Sequence, residues 1–433
     1  MLLAPAPLAA TTEKLRQNQR VLYSYIHETC DRIDRFEPEI HALLPEPDRR
    51  SRLLQEAKEL AHRFPDPGKR PSLYGILVGV KDIFRVDGFP TRAGSQLPAE
   101  EFAGPEATCV TRLKQAGALV LGKTVTTEFA YFEPGPTRNP HNTRHTPGGS
   151  SSGSAAAVAG GLCQLALGTQ TIGSIIRPAA FCGILGFKPS FGRIPTDGLI
   201  VFSHSADHVG FFTQDIAGLR LAAAILCDRW EPPTTSAAIQ DTLPVLGIPV
   251  GAYLQQTSPE GLAAFEAHVA RLEQDGYRVK RISAFNDIAA INQRHRRLTA
   301  AEAAQEHVEW FATYQNVYRP KTEEIILSGQ TIPADEITAC RAGQHHLRQH
   351  LTELRQEHAL DAWICPSAPG DAPSGLESTG NPDMNLPWTH AGLPAVTIPS
   401  GTSQHGLPFG LQIVGDFMRD EDLLNIAQRI ISA

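Results

Sequence analysis

The sequence predicts an α/β fold, a sheet flanked by helices, and two observations carry that prediction. From residue 74 to about 230, short apolar runs such as ALVLG (118–122) and ILGF (184–187) alternate with helical runs such as ATCVTRLKQAG (107–117). Alternation of this kind is the pattern of strands joined by crossing helices. The chain, at 433 residues, is also long enough to bury a sizeable core.

The elements follow in order. Leu15, Val21, Leu22, Tyr25 and Ile26 recur at helical spacing, so 12–35 and 49–63 are expected to be helices of a preface occupying residues 1–70. FPDPGKRPS (64–72) is a turn-rich link into a first apolar strand at 74–80. Between about 285 and 359 the chain becomes a long helical stretch rich in His, Arg, Glu and Gln. Residues 1–433 are expected to form one domain.

Composition narrows the function. The formal charge is −7, with 39 basic against 46 acidic residues, so no basic excess exists to neutralise a phosphate backbone and nucleic acid is not expected as a partner. Seven cysteines (30, 109, 163, 182, 227, 340, 365) are scattered without metal-ligand spacing, which fits buried thiols in a reducing compartment. The sixteen histidines, including His295 and the pair His345 and His346, follow no HExxH-like pattern; they are assigned to surface and packing, and neither metal nor cofactor is expected. Arg294, Arg296 and Arg297 are read as a solvated helix face. MLLAPAPLAA lacks a basic leader and contains Pro5 and Pro7, and no 18-residue apolar run exists, so a cytoplasmic protein without a membrane partner is expected.

The most informative segment lies between Pro147 and Pro189, PGGSSSGSAAAVAGGLCQLALGTQTIGSIIRPAAFCGILGFKP, built almost wholly of Gly, Ser, Ala, Thr and short apolar residues. It resembles the defining segment of the amidase signature family, serine hydrolases whose nucleophile is served by a second serine and a lysine. GILVGVKDIFRVDGFPTRAGS (75–95), LGKTVTTEFAYF (121–132), NPHNTRHTPGG (139–149), DAWICPSAPGDAP (361–373) and the segment 386–415 resemble further parts of that family, so the likeness spans roughly 75–415. It implies a central mixed β-sheet with α-helices on both faces. It also implies hydrolysis of a linear amide bond of a small molecule through a serine acyl-enzyme, with esters, carbamates and ureas cleaved by some members. The stretch 285–359 falls where the family varies and shapes its substrate funnel.

By this resemblance Ser174 is the nucleophile, Ser150 the bridging serine held by a cis peptide, and Lys81 the base. The two serines are 24 residues apart, the interval the family keeps. Serine needs a positioned base, and lysine can serve only when neutral, which requires a pKa lowered from about 10.4 to about 7.5 by burial. The N–H groups of Thr171, Ile172, Gly173 and Ser174 are implied as the oxyanion hole, each such donor being worth about 2.7–4 kcal/mol. Ser151, Gly149 and Arg177 are implied as support, Asp207 as structure behind the site, and Ser151 and Ser154 as caps or supporting hydroxyls of the following helix. Gly148, Gly149 and Gly153 are expected to permit close backbone approach.

The chain departs from the family at four places. Ile172 stands where glycine is usual, and its β-branch is expected to tighten the acyl pocket. Gln170 replaces an Asp, Ile176 an Arg and Gln214 another Arg. A loop ion-pair network turned neutral is one reading; Arg177 rejoining a carboxylate from another direction is the other. Phe129, Tyr131, Phe132, Phe202, Trp310 and Trp388 point to an apolar pocket and an aryl amide or aryl carbamate (urethanase-like) substrate, handled by a monomer or homodimer.

Three features point elsewhere. GALVLGKT (117–124) satisfies the phosphate-loop pattern, but its middle residues are the strand itself. GSSSG (149–153) satisfies GxSxG and would make Ser151 an esterase nucleophile with His390 or His405, although that motif demands a sharp strand-to-helix elbow. The family also includes the glutamine-amidase component of a tRNA-dependent amidotransferase, a role that would need partner chains.

Overall fold

The computed structural model describes residues 1–231 and 243–432. Ten strands among them form one mixed sheet: β1 (Leu77–Lys81), β2 (Leu119–Thr124), β3 (Leu165–Gln170), β4 (Leu185–Lys188), β5 (His208–Thr213), β6 (Val245–Pro249), β7 (Arg278–Ile282), β8 (Ala362–Pro366), β9 (Ala395–Thr402) and β10 (Pro408–Val414). Their order is β2-β1-β3-β5-β4-β9-β10-β8-β6-β7, with helices on both faces, as expected. Parallel pairs lie at the two ends, β2-β1-β3 and β8-β6-β7, and antiparallel pairs between. Every residue of β1, β2 and β3 is buried, the mark of strands covered on both faces.

Differences from the sequence expectation have local causes. The helix expected at 12–35 is two, Leu8–Arg16 and Leu22–Ile40, because the chain turns through Asn18 in the left-handed region. The first strand begins at Leu77 rather than residue 74, since Gly75 adopts φ 74° in a turn. Strand β2 runs through Thr124, so Gly122, Lys123 and Thr124 are strand and no phosphate loop exists there; Lys123 instead pairs with buried Asp82 at 2.7 Å. The stretch 285–359 forms four helices, Ile288–Glu306, Val308–Tyr314, Pro320–Gln330 and Ala334–Glu357. All seven cysteines are buried and unpaired. Among the described residues no helix is long and apolar enough to cross a membrane.

Two aromatic positions expected in the pocket are core. Trp388 is fully buried against Tyr253, Phe285 and Trp363, and its indole N–H donates to the Tyr253 hydroxyl at 2.8 Å. Phe129 stacks with Tyr318 and Trp310 and meets His307 edge-on, fastening the helical insertion to the sheet. Aromatic burial of this size outweighs exposure to a polar ligand channel.

Candidate active site

Parallel registry of β1 with β3 brings the ends of both strands to one edge: Val80 faces Leu167, so Lys81 emerges beside Thr169. The Lys81 ammonium nitrogen lies 2.7 Å from Ser150 Oγ and 2.8 Å from Thr169 Oγ1, and the side chain is 0% exposed. Burial lowers its pKa from 10.5 to about 7, against the opposing pull of the Asp207 carboxylate. Asp207 is itself pushed up by burial, and is held by the Thr171 hydroxyl at 2.5 Å and the amides of Phe202 and Ser203. Thr169 is not among the contacts expected of Lys81; it carries no motif signal and is placed only by strand register.

Ser150 follows a cis peptide bond with Gly149. A side chain at Gly149 would put a Cβ 2.7 Å from Thr379 Cγ2, and one at Gly173 would stand 2.4 Å from Asn385 Oδ1, so both loops require glycine for their close approach. Ser150 and Ser174 line one narrow slot of about 10 Å³ together with Thr171, Ile172, Gly173, Arg177, Tyr131, Phe132, Phe202 and Pro382. The slot opens on a vestibule of about 1000 Å³. Residues of the insertion, including Asn292, Arg296, Arg297, Lys321 and Glu324, line it with the 378–383 loop, while Tyr131, Phe132, Ile172 and Pro382 are common to both spaces. The mouth is therefore charged, and Arg296 and Arg297 belong to it rather than to a plain solvated face; Arg296 pairs with Asp383 and Arg297 with Glu336.

Fixed carbonyls hold the 171–174 loop. Thr171 O accepts from His295 Nε2 at 2.9 Å, and Ile172 O accepts from Thr389 Oγ1 at 2.7 Å. Since a carbonyl only accepts, His295 carries its proton on Nε2, and its Nδ1 takes the hydrogen bond from His390 Nδ1 at 3.1 Å. Burial holds both imidazoles neutral, His295 at about 4 and His390 at about 2. Of the surface and packing roles expected for the histidines, His295 takes the second, packed against the loop through a specific hydrogen bond; an isolated imidazole on a polar helix gives no sign that the helix folds back over the loop. His345 and His346 are exposed, with no ligand cluster around them among the described residues.

Gln170 does what a carboxylate would do, but without charge. Its Oε1 accepts from the amides of Ile175 and Ile176 at 2.9 and 3.0 Å, and its Nε2 donates to Thr389 Oγ1 at 2.9 Å. Gln170→Ala leaves two buried amides without an acceptor, at about 1–3 kcal/mol each. A clear fall in Tm by calorimetry is expected, and an unchanged Tm would contradict this role.

Gln214 is not part of the loop; it bonds Ala4, Ala6 and Val158, so the idea of one neutralised network uniting it with Gln170 is corrected. Nor does Arg177 rejoin a carboxylate: among the described residues no acidic oxygen lies within ion-pair distance of it, and its Nη2 donates to Gly149 O at 2.7 Å and Thr379 Oγ1 at 3.2 Å. Ser151 and Ser154 do not cap their helix (Ser152–Ala159). Ser151 Oγ donates to Thr169 O and accepts from Thr169 N, and Ser154 Oγ donates to Leu167 O, so both stitch the helix to β3. A nucleophilic Ser151 is thereby disfavoured, and His390 is engaged with His295.

The amidase family profile matches residues 24–424. The chain is 30% identical to a glutamyl-tRNA(Gln) amidotransferase component of Synechococcus sp. (strain RCC307), over 97% of this chain and 96% of that protein. A crystal structure of an amidase superposes with a TM-score of 0.87 at 29% identity, covering 98% of this chain and 99% of that one. The peptide amidase solved with the competitive inhibitor chymostatin gives 0.82 at 26% identity, over 99% and 97%. The chain therefore belongs to the amidase signature family and is a hydrolase of carbon–nitrogen bonds.

Proposed function

We propose that the protein hydrolyses a linear amide of a small molecule through an acyl-enzyme on Ser174, with Ser150 as the bridge and neutral Lys81 as the base. The observation that carries this reading is the fully buried Lys81, with its pKa brought to about 7, bonded to a serine that shares a slot with Ser174. Lys81 takes the proton of Ser150 as Ser150 takes that of Ser174, whose oxygen attacks the carbonyl. Amides of the 171–174 loop face the developing oxyanion. Collapse expels the amine, which receives the proton back through Ser150, and water repeats the sequence on the ester. Activated esters and carbamates fit the same relay because only the leaving group differs.

A matched amide and ester of one acid, hydrolysed in the presence of hydroxylamine, test this reading. A common acyl-enzyme predicts one ratio of hydroxamate to acid for both substrates; different ratios contradict it. The similarity to amidotransferase components supports a second reading, in which turnover needs partner chains. Inertness of the isolated chain toward both substrates would favour that one.

A further inference from the structure

Three successive peptide groups of the 171–174 loop share one arrangement. The carbonyls of Thr171, Ile172 and Gly173 each accept a hydrogen bond, from His295 Nε2 at 2.9 Å, Thr389 Oγ1 at 2.7 Å and the Arg177 amide at 3.0 Å. Across the same peptide groups, the N–H groups of Ile172, Gly173 and Ser174 donate to no protein acceptor among the described residues, although all three residues are buried. Buried amides are rarely left without a partner, so these three are kept for a ligand oxygen. The carbonyl bonds differ in origin. The one to Gly173 comes from the first turn of the following helix, Ile176–Phe181, and is local. The other two come from distant segments, and each donor ends a chain: Gln170 Nε2 donates to Thr389 Oγ1 at 2.9 Å, and His390 Nδ1 to His295 Nδ1 at 3.1 Å. The Thr389 proton goes to Ile172 O, the shorter of its two carbonyl contacts at 2.7 Å against 3.1 Å for Asn385 O.

A hydrogen bond to a peptide oxygen draws electron density away from the nitrogen, so the N–H on the far side of that peptide becomes a stronger donor. We propose that His295 and Thr389 are positioning residues that act through the Thr171 and Ile172 carbonyls to strengthen the N–H groups of Ile172 and Gly173 as oxyanion donors. Their contribution then falls on kcat, because the charge they help to meet exists only after the serine has attacked. Burial keeps His295 and His390 neutral, so the Nε2 donor is present wherever neutral Lys81 can act. Anchoring alone does not ask for the second imidazole: one donor would hold the Thr171 carbonyl, yet His390 is buried as well, with its Nε2 unpartnered. The inference rests on the reading of Ser174 as the attacking residue and of the 171–174 amides as the oxyanion hole.

The test uses trifluoroacetone enriched with carbon-13 at its carbonyl. Attack by the serine oxygen forms a hemiketal, the serine proton passing to the Ser150–Lys81 pair, and so places an oxyanion in the hole without turnover. NMR titration of the labelled carbon reads the pKa of the hemiketal hydroxyl; Lys81 and Asp207, which titrate behind the loop, are common to every variant and cancel in the comparison. Loss of a whole donor lowers kcat by about 10²–10³-fold, and one polarising bond is worth about 10–30% of a bond's strength. His295→Leu and Thr389→Val are therefore each expected to lower kcat by about 2- to 8-fold at unchanged KM, and to raise the hemiketal pKa by about 0.3 to 0.9. His295→Gln, whose side-chain amide can donate to Thr171 O, should recover most of both effects. If His295→Leu does not fold, Thr389→Val decides alone. A hemiketal pKa unmoved by the substitutions, or a loss carried by KM with kcat intact, would overturn the proposal and leave the nucleophile standing. A hemiketal that still forms in Ser174→Ala, or none in the wild type, would sink the Ser174 reading and this inference with it.

Discussion

Replacing Ser174 with Ala is expected to lower kcat by about 10⁶-fold, the loss typical of removing a nucleophile that works as part of a unit. No other hydroxyl in the slot can stand in for it. Ser150 Oγ is committed to Lys81 at 2.7 Å, and Ser151 Oγ is occupied by the backbone of Thr169. The substitution removes one oxygen from the wall of a ligand slot and leaves the carbonyl anchors at His295, Thr389 and Gln170 in place, so Tm should stay at the wild-type value. Retention of a tenth or more of the wild-type rate would show that the acyl-enzyme forms elsewhere.

Lys81→Met carries the second large effect, and it acts in opposite directions on activity and stability. Loss of the base is expected to lower kcat by about 10⁴-fold. In the wild type, activity should rise as pH increases through about 7 and level off above it, because the neutral amine is the working form. The substitution itself is expected to act on stability in the opposite sense to activity. With a folded pKa of about 7 against 10.5 for the free side chain, the unfolded chain binds more protons between these values, so the penalty for burying Lys81 is complete below pH 7 and fades toward pH 10.5. At 1.36 kcal/mol per unit the penalty is at most about 5 kcal/mol, offset in part by the bonds to Ser150 and Thr169. Lys81→Met is therefore expected to raise Tm at pH 6 to 7, with the gain shrinking at higher pH. A Tm that falls at every pH would mean that Lys81 is held as a charged structural residue.

Much of this site was legible in the sequence because its determinants are local. Lys81 ends an apolar strand, and the two serines sit in Gly-rich loops whose spacing is itself a signature, so their convergence on one slot could be anticipated from the family resemblance. The alternation of apolar and helical runs likewise foretold the sheet and the helical insertion. What escaped depended on contacts between distant segments. Thr169 meets Lys81 only through the register of β3 on β1. His295 reaches Thr171 only because its helix crosses the loop, and periodicity cannot tell a helix face that covers a site from one that faces water. Phe129 and Trp388 were credited to the pocket by residue type, yet burial in the core is the commoner fate of a large ring. Arg177 shows the converse: its position near the nucleophile was visible, but that the fold buries two of its donors without a hydrogen-bond partner was not.

The most direct test of the account is to trap the nucleophile. Wild-type protein treated with an arylsulfonyl fluoride, then digested and mapped by mass spectrometry, should carry one adduct, on the peptide containing Ser174, and Lys81→Met should label far more slowly. An adduct on Ser151, on Ser150 alone, or on any residue outside the slot would contradict the assignment of Ser174 as the attacking residue.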